Sequence, residues 1–189
     1  KRSAKLNAFF TGFGRFRKIV FFDTLMDKLC GDEIVAVLAH EMGHFKKKHI
    51  WKMLAASVLQ TGLMFFLLSF FIKNEGLSQA FRMEELSTYA SLVFFAFIYS
   101  PLDTLISILF NYRSRIHEFE ADRYAAETTG RPDMLIRGLK KLSKENLSNL
   151  TPHPLMVFFS YSHPPVLSRI RTLNGIADRV NQQERFLTP

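Results

Sequence analysis

The sequence predicts a mainly α-helical domain with a small β-hairpin, interrupted by a hairpin of two membrane-length helices. Three features carry that expectation. A His-Glu-x-x-His pattern, His40 to His44, lies inside an apolar-periodic stretch, and two long runs are almost free of charge. Near the start, short extended apolar segments flank Gly12-Phe13-Gly14. Strands alternate every second residue and helices repeat about every 3.6, so these patterns separate cleanly.

The elements follow in order. Residues 5–22 form a β-hairpin, with Leu6 to Phe10, a turn at Gly12-Phe13-Gly14, and Ile19 to Phe22. A helix starts near Gly31, with Asp32 and Glu33 at its positive end and Lys46 to Lys48 at its negative end. Met53 to Ile72 carries no charge over about twenty residues, the length that crosses a hydrocarbon core. Leu86 to Phe110 is a second such run, containing Asp103 and Pro101. A buried core helix could also be this apolar, but neither run has the polar stripe expected of one. Asp103 is costly within a span unless paired or facing water, so it should point into the bundle interior, and Pro101 should kink its helix. After Arg115 a further helix ends at Gly130, with Pro132 beyond as a stop signal. Leu135, Leu139 and Leu142 mark another helix, Thr151 to Pro165 a proline-rich loop, and Val166, Ile170 and Leu173 a last helix. There is no internal repeat.

Composition narrows the class. The chain has 189 residues, 48% hydrophobic, with 20 phenylalanines and a net charge of +8. It begins at Lys1 without a signal-peptide pattern, as expected for a fragment of something longer. Basic residues cluster outside the apolar runs: Lys46, Lys47, Lys48 and Lys52 before the first, Arg113 and Arg115 after the second. The intervening Lys73 to Glu85 carries Lys73 and Arg82 against Glu75, Glu84 and Glu85. The positive-inside bias therefore puts both outer flanks on the cytoplasmic side, against membrane lipids. No nucleic-acid-binding signature accompanies the charge, and no nucleic-acid partner is expected. The single cysteine, Cys30, excludes an internal disulfide framework and fits a reducing compartment. Two glycosylation sequons, at Asn146 and Asn149, would go unused on that face.

Residues four apart share a helix face, so His40 and His44 can reach one ion while Glu41 stands beside it. There Glu41 can take a proton from water, the geometry of a zinc peptidase. Catalytic zinc takes a third protein ligand. His49 lies off the ligand face and fits an interfacial or supporting position. Glu118 is the better candidate, with Asp122 one turn later to accept a hydrogen bond from a ligand imidazole. By itself this stretch, with Glu120 and Glu127 nearby, also fits a solvated acidic helix. Two spans separating His44 from Glu118 return both to one side of the bilayer, in agreement with the charge bias.

The chain resembles the type I CAAX prenyl endopeptidases, integral-membrane zinc proteases. The likeness is carried by Asn7-Ala8-Phe9-Phe10, Ile19 to Leu25, Val37 to His44, Ser100-Pro101, Phe119 to Asp122 and Tyr161-Ser162-His163-Pro164-Pro165. Membrane heat-shock proteases share the HExxH and ExxxD patterns; the Ser-His-Pro-Pro segment and the Asp-Thr-Leu strand end favour the CAAX branch. The resemblance implies one zincin-like domain over residues 1–189. Residues 1–52 would hold the substrate hairpin and HExxH helix, 53–110 the transmembrane insertion, and 111–189 the third-ligand helix and the rest of the site. It implies one Zn2+ per chain held by His40, His44 and Glu118, with Glu41 as catalytic acid/base and Asp122 supporting a ligand. It also implies His163 and Arg169 contacting substrate or the developing oxyanion. His117 stands where the family more often has an apolar residue and receives no role. The Leu6 to Phe10 strand, including Asn7 and Ala8, offers either an edge for an extended substrate or plain hairpin packing. The expected activity is endopeptidase cleavage of hydrophobic or C-terminally prenylated peptides, with its catalytic side facing the cytoplasm. The alternatives are a quality-control protease of membrane proteins and a non-catalytic zinc-binding scaffold.

Overall fold

In a computed structural model of the chain, the described residues are 8–11, 18–21, 23–72, 74–82 and 87–187. The chain divides into two compact units, residues 1–49 with 111–189, and residues 50–110.

In the first unit, β1 (Ala8–Thr11) pairs antiparallel with β2 (Lys18–Phe21), Ala8 opposite Phe21 and Thr11 opposite Lys18. The expected turn at Gly12-Phe13-Gly14, and Asn7, lie outside the described residues. A short helix not anticipated from the pattern, α1 (Asp23–Lys28), follows. Asp23 and Lys28 stand at the ends that favour their charges, and Leu25 is fully buried.

Next comes α2 (Gly31–Lys46), which carries the HExxH residues. Its start is fixed by Glu33, whose Oε2 accepts the Cys30 backbone N–H at 2.9 Å. The same oxygen accepts from Lys141 Nζ at 2.7 Å, tying α2 to α6 (Pro132–Glu145). Around that tie, Ala36 and Ala39 of α2 meet Met134, Leu135, Ile136 and Leu139 of α6, Ala125 and Ala126 of α5 (Thr88–Thr129), and Leu173 and Ile176 of α8 (Val166–Leu187). Alanines on two of the four helices let the backbones come close, while leucine and isoleucine from the other two fill the space between.

The sequence expectation of separate helices on either side of Arg115 is corrected. α5 is one uninterrupted helix of 42 residues that contains Pro101. No glycine or proline stands between Phe110 and Arg115 to stop it. Its C-terminus falls as expected: Gly130 adopts φ +64°, its N–H returns to the Ala126 carbonyl at 3.0 Å, and Pro132 opens the next helix. The loop expected over Thr151 to Pro165 also contains a helix, α7 (Pro154–Ser160). Pro154 suits a first helical turn, and His153 Nδ1 accepts the Leu155 N–H at 3.2 Å. Arg115 Nη1 then donates to the carbonyls of Val157 and Tyr161, at 3.0 and 2.6 Å.

The second unit holds most of α3 (His49–Phe71), α4 (Glu75–Ala80) and the N-terminal part of α5. α3 and α5 are both long and apolar enough to cross a membrane. Within the unit their apolar side chains are largely uncovered: Leu59 is 76% exposed and Phe97 75%. A soluble core helix would bury them. Asp103 accepts from Gln60 Nε2 at 3.1 Å and is exposed within this unit.

Burial pushes the Glu33 carboxyl upward, but the Lys141 ammonium and the Cys30 N–H outweigh it and hold the pKa below its ordinary value. A carboxylate whose pKa is lowered on folding contributes stability above its unfolded pKa and loses it as pH falls through the folded value. Glu33→Ala should therefore cost about 1–3 kcal/mol at neutral pH. Thermal melts should show the difference from the unaltered protein shrinking in acid.

Candidate metal centre

Two helices bring the site together. α2 presents His40 and His44 one turn apart, and α5 presents Glu118 and Asp122 with the same spacing. Between them Gly43 lies against Ala121: a Cβ on Gly43 would stand 3.0 Å from the Ala121 Cα, 3.1 Å from its carbonyl oxygen and 3.2 Å from the Tyr124 Cβ. The backbones meet there because neither residue has a side chain beyond a methyl.

One ring or carboxylate atom from each of His40, His44 and Glu118 falls within 4.8 Å of the others. The two Nε2 atoms are 3.2 Å apart; Glu118 Oε2 lies 3.6 Å from His40 Nε2, and Oε1 lies 3.3 Å from His44 Nε2. His40 and Glu118 are buried and His44 partly so. Two imidazole nitrogens and one carboxylate are the donor set of an open catalytic zinc site.

The far side of each imidazole is also occupied. His40 Nδ1 lies 2.9 Å from Asp122 Oδ1, and His44 Nδ1 lies 3.1 Å from His49 Nδ1. Each ring thus has Nε2 toward the other donor atoms and Nδ1 engaged behind it, the arrangement usual behind metal-binding histidines. Asp122 itself is fully buried and paired with Arg169, whose Nε and Nη2 reach its two oxygens at 2.8 and 2.6 Å. Arg169 Nη1 also lies 3.1 Å from Glu118 Oε2. Burial works against the Arg169 charge, but Asp122 and Glu118 outweigh it and keep the guanidinium firmly charged. Expected against substrate, Arg169 is 9% exposed, with its nitrogens engaged by the two carboxylates. α8 supplies it from a first turn fixed by Pro165, whose carbonyl accepts the Arg169 N–H at 3.2 Å.

His163 is different. Its Nδ1 lies 3.1 Å from Glu118 Oε1, yet its side chain is 69% exposed, so it faces both the ligands and solvent. That contact raises its pKa above the ordinary value. Glu41 is partly buried, and burial raises its carboxyl pKa against the pull of His40 and His44. Such a carboxyl gives up and takes back a proton more readily near neutral pH than an exposed one. Ala8 opens β1, which packs beside α2, and the two-stranded sheet leaves β1 one unpaired edge among the described residues. Asn7 lies outside them.

The sequence pattern did not reveal how His49 continues beyond His44. Its Nε2 lies 2.8 Å from Glu120 Oε2, and its ring stacks on His117 at 4.0 Å between centroids. Histidine at both 49 and 117 was the available signal, but it needed the interhelical register to be read.

A family model described as peptidase family M48 matches residues 1–177. Over 195 residues the chain is 33% identical to CAAX prenyl protease 1 of Saccharomyces cerevisiae, covering 95% of this chain and 43% of that protein. It is 35% identical over 175 residues to a CAAX prenyl protease 1 homolog of Arabidopsis thaliana, covering 92% of this chain and 41% of the relative. A crystal structure of S. mikatae Ste24p matches with a TM-score of 0.78 and 34% identity, over 91% of this chain and 42% of that one. The chain thus spans about two fifths of the length of the relatives it matches.

Gly43→Ala tests the close approach directly. A helical alanine is normally favoured over glycine by about 1 kcal/mol. Here the added methyl meets backbone atoms of α5, which cannot rotate aside, so the helices must separate. The expected outcome is a net loss of about 1–3 kcal/mol in thermal unfolding. Zinc affinity measured by chelator competition should fall with it.

Proposed function

The chain belongs to peptidase family M48, and from that premise we propose that it is the catalytic part of a membrane-embedded, zinc-dependent endopeptidase. One observation carries this reading: two imidazoles and a carboxylate converge beside a glutamate that is free of the ligand set. A purely structural metal site has no use for a base next to an open coordination position.

In this reading His40, His44 and Glu118 hold one zinc ion, which when bound supplies Lewis acidity to a peptide carbonyl and to water. Glu41 accepts the proton of the attacking water and delivers it to the leaving nitrogen. Its raised pKa suits both transfers. His163 is the exposed donor beside Glu118, placed to hydrogen-bond the developing oxyanion, a contribution typically worth about 3 kcal/mol. Asp122 and Arg169 position His40 and Glu118 rather than touch substrate. The open edge of β1, which begins at Ala8, holds an extended peptide by backbone hydrogen bonds, and Asn7, the residue before it in sequence, is assigned to the same task.

The apolar stretch within 53–110 is read as a transmembrane insertion in a metallopeptidase domain over 1–189, with the catalytic side cytoplasmic. Basic residues on both outer flanks support that orientation. The proposed substrates are hydrophobic or C-terminally prenylated peptides, in keeping with the names of the relatives.

Glu41→Gln should keep zinc, measured by metal analysis of the purified protein, and lose peptide cleavage. His40→Ala should lose both. Undiminished turnover in Glu41→Gln would sink the mechanism. For substrate class, a farnesylated peptide should be cleaved faster than its unmodified counterpart; equal rates would remove the prenyl preference and leave a general membrane protease.

A further inference from the structure

We propose that His49 and Glu120 are positioning residues that hold His44 in its metal-binding tautomer, with the His117 ring fixing the plane of His49. The proposal rests on the reading of His40, His44 and Glu118 as zinc ligands and extends it outward from His44.

A neutral imidazole has one N–H and one bare nitrogen. For His44 to offer an Nε2 lone pair to the ion, its proton must sit on Nδ1. That atom faces His49 Nδ1 at 3.1 Å, so His49 Nδ1 must be bare and accept. The His49 proton then resides on Nε2, which lies 2.8 Å from Glu120 Oε2. An ionised carboxylate only accepts. Glu120 therefore sets the direction of the whole chain: it takes the His49 N–H, His49 takes the His44 N–H, and the His44 Nε2 is left bare toward His40 and Glu118.

The surroundings suit that task. His49 is 2% exposed, so water does not compete for its nitrogens. Its ring lies nearly parallel to that of His117, with 7° between the planes and 4.0 Å between centroids, which resists rotation out of line with His44. All four residues belong to the same compact unit. On the other ligand, Asp122 does the same for His40 in a single step, with Arg169 behind it. The two ligand histidines are thus oriented by different devices, one a direct carboxylate and the other a carboxylate acting through a second imidazole.

The test is zinc affinity of the full chain by chelator competition, for the unaltered protein, His49→Phe, Glu120→Ala, the double variant and Glu120→Gln, with melting of each metal-free form. His49→Phe keeps the ring stack but removes both nitrogens, and should weaken zinc binding by about 10- to 100-fold. Glu120→Ala should weaken it less, with no change in metal-free melting, since that side chain is 43% exposed. Since the relay runs from Glu120 through His49, the double variant should bind no more weakly than His49→Phe. Glu120→Gln retains an acceptor oxygen and should restore most of the affinity. Multiplied losses in the double variant, or metal-free melting that falls while affinity holds, would overturn the relay and leave the zinc site standing. Failure of the unaltered protein to bind zinc would overturn both.

Discussion

The centre depends on how closely α2 and α5 approach at Gly43 and Ala121. α2 carries the two imidazoles and α5 the carboxylate, which reaches only a few ångströms from its backbone. With a larger residue at either position, Glu118 would be held away from two imidazoles on the facing helix. The alanines at 36, 39, 125 and 126 extend the same small-residue contact into the core, where leucines of α6 and α8 close over it. Packing and chemistry thus draw on one run of small side chains.

Around that contact lies an uncommon density of buried charge. Asp122 is fully buried, Glu118 is 5% exposed and Arg169 9%. Removing such groups from water costs several kcal/mol each, and mutual attraction offsets this only when the geometry is good. Here it is: the Arg169 guanidinium meets both oxygens of Asp122 and one of Glu118. The arrangement is therefore better understood as fixing orientation than as adding stability. It holds the imidazole of His40 in one rotation, with Nδ1 against Asp122 and Nε2 toward His44 and Glu118.

Much of this was legible from the chain alone, because it rests on short-range periodicity. The helix carrying His40 and His44 and its charged ends follow from spacing and capping, while Glu118 with Asp122 a turn later draws also on the count of spans and on the family resemblance. The two membrane-length runs follow from composition. What escaped was of another kind. Continuity of α5 depends on the absence of a breaker after Phe110, a weak signal beside the change in polarity there. α7 arises in a segment whose prolines read as loop, because Pro154 happens to fall on a first helical turn. Arg169 reaches Asp122 across 47 positions of sequence, a contact that only the packing of α8 brings about. His49 meets Glu120 across 71 positions of sequence, a pairing no local pattern encodes.

Rings already turned inward have a bearing on metal selectivity. Two nitrogens and one oxygen, set in advance, bind divalent ions in the Irving–Williams order, in which copper exceeds zinc. A site oriented from behind in this way favours whichever ion fits two imidazoles and a carboxylate, with little room to adapt its shape in favour of one of them. With the proposed ion held there, which metal fills the site would be decided by the free ions the surrounding compartment supplies, and tight buffering of copper would do part of the discrimination.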